Sequence, residues 1–102
     1  MNNEYKDYEL FNNHTGNRFE MRVGKYLVFI DYKLADDKIW LLHTETPTEL
    51  RGKGAATAIL EKTLDYLDMH DYKLIPICHF VIAYLKTHPD WKRILDESVK
   101  DI

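Results

Sequence analysis

A chain of 102 residues with 45% hydrophobic and 30% charged side chains is long enough for one packed core and too apolar for disorder. Its formal net charge of -3 removes a general attraction for nucleic acid or anionic membranes, and no apolar stretch approaches the roughly 20 residues that span a bilayer. Cys78, the single cysteine, can form no intramolecular disulfide, and no basic stretch followed by an apolar run opens the chain, so the cytoplasm is the expected setting.

The composition predicts one domain over residues 1–102. Residues 1–17 are polar, with only Tyr5, Tyr8, Leu10 and Phe11 as anchors, and read as a partly loose arm in which Tyr8 to Phe11 pair at a sheet edge. From Arg18, alternation of Phe19, Met21 and Val23 with Glu20 and Arg22 predicts a strand, and Gly24-Lys25 a turn. A second strand, Tyr26 to Leu34, and a third, Ile39 to Thr46, complete an antiparallel meander. On a regular third strand Ile39, Leu41, His43 and Glu45 share one face, and Trp40, Leu42, Thr44 and Thr46 the other.

Beyond Pro47 the period lengthens. Ala56, Ile59, Leu60, Thr63, Leu64 and Leu67 recur at helical spacing, which predicts an amphipathic helix over Gly52 to His70 with one face on the sheet. Lys73 to Ile77 is a short apolar strand, and a right-handed crossover lays it parallel beside the third. Phe80 to Lys86 is apolar almost all round and reads as a buried helix ending near His88-Pro89. Pro89 suits the first turn of a final helix with Trp91, Ile94 and Leu95 as its apolar stripe. The fold class is therefore α+β: a mixed sheet of an antiparallel meander plus a parallel strand after a crossover helix, with C-terminal helices.

The most informative stretch is Glu49-Leu50-Arg51-Gly52-Lys53-Gly54-Ala55-Ala56, between the third strand and the long helix. Two glycines permit tight turning and close approach, the alanines leave room, and the helix start offers unpaired N–H groups with a partial positive charge, as a diphosphate cradle requires. Arg51 and Lys53 add charge at the edge. A plain strand-to-helix loop fits the glycine spacing equally. A P-loop would need Gly-Lys-Ser/Thr after four intervening residues and a Rossmann loop a third glycine where Ala55-Ala56-Thr57 stands, so neither is present.

Arg51-Gly52-Lys53-Gly54-Ala55-Ala56 resembles the Arg/Gln-x-x-Gly-x-Gly/Ala signature of the GNAT acetyltransferases. With His43-Thr44-Glu45, Ile75-Pro76-Ile77-Cys78, Ala83-Tyr84-Leu85 and His88-Pro89 in order, the chain is similar to the small stand-alone GNAT-like group. The resemblance implies that acetyl-coenzyme A is the acyl donor and an amine the acceptor, either a small amine or a protein lysine or terminus. It also implies a twisted sheet splayed between the third strand and the strand at Lys73, with pantetheine in the gap along the backbone of Thr44, Glu45 and Thr46. The pyrophosphate falls to Arg51, Gly52, Lys53, Gly54, Ala55 and Ala56. Phe80 falls on the pantetheine or adenine side. Cys78 stands where larger members often carry an asparagine, and Tyr84 approximates the tyrosine that acts as acid toward the leaving thiolate. The helical region that usually follows the first strand is replaced here by Gly24-Lys25, so the acceptor stays unnamed.

Three residues are candidates for the chemistry. His43 and Glu45 share a strand face and could relay a proton from an incoming amine, although a structural histidine and a solvated glutamate fit the same positions. Cys78 stands before a helix start, where it could accept the acetyl group or position the thioester, or simply pack as a small apolar side chain. Direct attack by the amine is the leading expectation; transfer through Cys78 and an acyl-coenzyme A binding or sensing module without turnover are the alternatives, in a monomer or a homodimer. The five histidines and one cysteine show no zinc spacing, so no metal is expected.

Overall fold

The computed structural model describes residues 3–102, with the side chain of residue 3 left aside. Five strands form one sheet in sequence order: β1 (Phe11–Asn13), β2 (Arg18–Val23), β3 (Tyr26–Ala35), β4 (Lys38–Glu45) and β5 (Lys73–Pro76). All neighbours are antiparallel except β4 and β5, which the crossover helix α1 (Ala55–Met69) makes parallel. This is the α+β arrangement the pattern predicts. A second helix, α2 (His79–Thr87), and a six-residue 3-10 helix, Pro89–Ile94, follow β5.

The core lies between the sheet and α1. Phe19, Met21, Val28, Ile30, Tyr32, Ile39 and Leu41 face Ala58, Ile59, Leu64 and Leu67 across it, all fully or nearly fully buried. Helix α1 starts at Ala55 rather than Gly52 because Gly52 and Gly54 sit at φ of 75° and 85°, in the left-handed region.

Three other expectations are corrected. Residues 80–86 are helical, but only Val81 and Leu85 of α2 are buried, since one stripe suffices to dock a nine-residue helix and its outer side stays open among the described residues. The final helix, of 3-10 type, has Pro89 in its first turn as expected, but it ends at Ile94, its buried residue, so Leu95 falls outside the expected stripe. Leu95 then makes a parallel bridge to Leu74. Tyr5 is buried in the core, and the edge strand is Phe11–Asn13, opposite Glu20 to Arg18, rather than Tyr8 to Phe11.

The meander holds one irregularity that matters for function. Tyr32 pairs with Leu41 and Asp31 with His43, so Leu42 is an extra residue in β4, a bulge. Directly opposed residues share a sheet face. Thr44, opposite the buried Ile30, therefore takes the face of Ile39 and Leu41, whereas His43 and Glu45, opposite Asp31 and Phe29, are turned to the face away from α1. The single face expected for Ile39, Leu41, His43 and Glu45 is split at the bulge.

Candidate active site

Strands β4 and β5 part just beyond the Leu41 and Pro76 pair. The Leu41 carbonyl accepts the N–H of both Ile77 (3.0 Å) and Cys78 (2.9 Å), which closes the ladder. From there β4 runs on to Glu45 while the segment after β5 turns into α2, leaving a wedge. Thr44 and Cys78 face each other across it, with Oγ1 and Sγ 3.5 Å apart.

The wedge opens into a groove of about 490 Å³ that reaches the start of α1. His43, Thr44, Glu45 and Thr46 line it from β4, Arg51, Gly52, Gly54, Ala55 and Ala56 from the loop, and Phe80 from α2. Its size lies within the range of small-molecule sites. Leu50 and Thr57 also line it and were not anticipated. Thr57 had a sequence signal, since it belongs to the first turn after the glycines; Leu50 reads only as a buried anchor of the loop. Lys53, Cys78 and Tyr84 are not among the lining residues.

The loop end of the groove suits an anion. The first bond of the α1 ladder runs from the Ala58 N–H to the Gly54 carbonyl (3.0 Å), so the N–H groups of Ala55, Ala56 and Thr57 have no partner within the helix. Gly54 is the N-cap and carries no side chain to satisfy them. Those amides, together with the positive end of the helix dipole, are the donors that an anion would meet there. Arg51 stands beside it, its Nε donating to the Thr46 carbonyl at 3.3 Å and its guanidinium 3.8 Å from Glu45.

At the open side of the wedge His43 Nε2 lies 2.9 Å from Glu45 Oε1, so the bulge keeps the two candidate side chains together while turning both outward. Tyr84 is engaged elsewhere. Its hydroxyl donates to Glu61 of α1 at 2.8 Å, and its ring stacks on His88 at 3.9 Å. Burial first, and then the neighbouring Glu61 carboxylate, push the phenol well above its ordinary value of 10.0.

Residues 18–94 match the GCN5-related N-acetyl-transferase family. This chain belongs to that family. A GCN5-like protein of Staphylococcus aureus, solved by NMR and described as a candidate N-acetyltransferase, shares the fold with a TM-score of 0.65 at 22% identity, over 86% of this chain and 87% of that one. The GCN5-related domain carries no group of three or more His, Cys, Asp or Glu side chains that could hold a metal among its described residues. No helix among them is long and apolar enough to cross a membrane.

Proposed function

We propose that the groove binds acetyl-coenzyme A and that the chain transfers its acetyl group to an amine in the cytoplasm. The observation that carries this reading is the uncapped start of α1, with left-handed Gly52 and Gly54, at the mouth of the wedge between β4 and Cys78. The pyrophosphate lies on the amides of Gly54 to Thr57, with Arg51 and Lys53 at its edge. Pantetheine follows the backbone of Thr44, Glu45 and Thr46, passing Phe80, and the thioester comes to rest near Thr44 and Cys78.

The acceptor approaches from the face to which the bulge turns His43 and Glu45. An alkyl ammonium with a pKa near 10.4 is deprotonated in only about one molecule per few thousand at pH 7, so the site must take up a proton. His43, held by Glu45, is the group in position to do so. The amine nitrogen bonds to the thioester carbon, the C–S pair leaves with sulfur, and the thiolate is protonated by water. Holding both reactants in the wedge supplies the larger part of the rate.

A second reading, transfer through an acetylated Cys78, is favoured by the placement of its sulfur 3.5 Å from Thr44 at the point of the wedge. Calorimetry with acetyl-coenzyme A and coenzyme A tests the binding step, where saturable heat is expected. Absence of saturable heat up to high-micromolar ligand would remove the proposal. A panel of amines and peptides, followed by release of coenzyme A thiol, then separates turnover from binding alone.

A further inference from the structure

Tyr5 stands outside the residues that match the family, yet it touches the donor loop. Tyr5 is 2% exposed, and its hydroxyl donates to the carbonyl of Lys53 at 3.1 Å, a contact between residues 48 apart in the chain. Lys53 is the residue between the two left-handed glycines.

The consequence follows from peptide geometry. In a planar trans peptide the carbonyl of one residue and the N–H of the next point in opposite directions. The bond to Tyr5 holds the Lys53 carbonyl toward that side chain, so the Gly54 N–H points away from it, and Gly54 is among the residues that line the groove. Gly54, at φ of 85°, tolerates this arrangement where another residue would resist it, but glycine alone does not select it over the flipped peptide. A buried donor facing the carbonyl does select it, because flipping would leave the phenol hydroxyl without a partner away from water.

The arm that delivers Tyr5 is itself fastened. The Tyr8 N–H donates to the Tyr5 carbonyl (3.1 Å), Lys62 Nζ of α1 to the Lys6 carbonyl (3.4 Å), and Asn12 Nδ2 to the Tyr66 hydroxyl of α1 (3.1 Å), while the Tyr32 hydroxyl donates to Asn12 Oδ1 at 2.6 Å. Burial also raises the Tyr5 phenol above its ordinary value, so it remains a donor throughout the neutral range.

We infer that Tyr5 is a positioning residue for the donor site: its hydrogen bond to Lys53 aims the Gly54 N–H at the pyrophosphate. The inference rests on the reading of the groove as a coenzyme A site. It makes the N-terminal segment part of the donor cradle rather than a passive edge of the sheet.

Tyr5→Phe deletes the hydroxyl and keeps the ring. Calorimetry well below the melting temperature is expected to show coenzyme A binding weakened roughly three- to tenfold, the scale of one lost neutral hydrogen bond. S-acetylpantetheine, which lacks the pyrophosphate, is expected to compete equally well in both proteins. A merely stabilising Tyr5 would lower the melting temperature and leave coenzyme A affinity unchanged, and that result overturns the inference. Equal losses for both ligands overturn it too, since the defect would not lie at the pyrophosphate. A parallel measurement needs no variant: in amide-resolved NMR of the parent chain, coenzyme A should move the Gly54 N–H resonance among the most strongly in the loop, and an unmoved Gly54 refutes the aim of that amide. If the parent chain shows no saturable coenzyme A binding, the donor-site reading itself fails, which is a different outcome from equal affinity in parent and variant.

Discussion

Thr44 Oγ1 and Cys78 Sγ approach to 3.5 Å across the gap where β4 and β5 separate. The contact gives the only cysteine a defined partner, and the bulge at Leu42 makes it possible by turning Thr44 to the core face. In the direct mechanism this sulfur packs near the thioester without attacking it. Cys78→Ser is therefore expected to retain transfer within about tenfold, and intact-protein mass spectrometry after mixing with acetyl-coenzyme A alone should show no stoichiometric acetyl adduct. A Cys78 acetyl-thioester that forms quickly and disappears on adding amine, with all activity lost in Cys78→Ser, would establish the covalent route instead.

Gly54 is the sharper test of the donor site. Asp tolerates left-handed geometry better than most residues, so Gly54→Asp should leave the fold largely intact, while its carboxylate stands against the pyrophosphate. Coenzyme A affinity should fall at least about a hundredfold, the sum of steric exclusion and like-charge repulsion. Arg51→Ala should cost roughly tenfold or less, since this side chain is 66% exposed and the amides remain. Unchanged binding by Gly54→Asp would place the cradle wrongly.

Tyr84 offers a test in the opposite direction. A phenol held far above its ordinary value by burial and by Glu61 is a poor acid toward a thiolate. Tyr84→Phe should keep coenzyme A binding and most of the turnover, while lowering the melting temperature because Glu61 loses its donor. A turnover loss of a hundredfold or more with unchanged affinity would return Tyr84 to the role of acid.

The glycine loop between β4 and α1 is legible because its signals are local: two glycines, flanking basic residues and a change of period all fall within Glu49 to Ala56, and both glycines do take left-handed geometry. The turn at Gly24-Lys25 was legible for the same reason, and Val23 does pair with Tyr26. The bulge was not, since Trp40, Leu41 and Leu42 are consecutive apolar residues and carry no mark of which one is skipped. Helix α2 misled because apolar residues all round imply burial only when a neighbour exists to cover the outer side. Contacts made at long sequence separation, such as Tyr84 with Glu61 and Tyr5 with Lys53, leave no periodic trace at all.

Asp96 supplies a pH prediction. It is buried and accepts the side-chain and backbone donors of Ser98, with Lys38 Nζ at 3.7 Å, and these hold its carboxyl below the ordinary value of 3.8. A carboxyl depressed in the folded state stabilises the fold fully above its unfolded value and loses that contribution as pH falls through the folded one. Asp68, lowered by its bidentate pair with Arg93, acts in the same sense. Thermal melts of the parent chain should be level near pH 6 and fall below about pH 4. Asp96→Asn should melt lower at pH 7 and fall less steeply in acid. An identical acid slope in both proteins would show that Asp96 titrates alike folded and unfolded.

His43 and Glu45 carry the prediction for the chemical step. Both line the groove, 2.9 Å apart, on the sheet face away from Cys78 and α1. If the amine arrives on that face, His43→Ala removes the group that takes its proton while the donor cradle and the Thr44 side of the wedge stay in place. Turnover should drop by about a hundred- to a thousandfold, the usual share of a positioned base, with acetyl-coenzyme A affinity changed less than about twofold. Glu45→Gln should cost less, about tenfold, because an amide can still hold the ring though without its charge. The pair should also be non-additive, the double variant being little worse than His43→Ala, since Glu45 acts through the histidine. Two outcomes would contradict this. Full turnover in His43→Ala makes the pair a solvated surface contact, and a matching loss of acetyl-coenzyme A affinity assigns His43 to donor binding rather than to the proton.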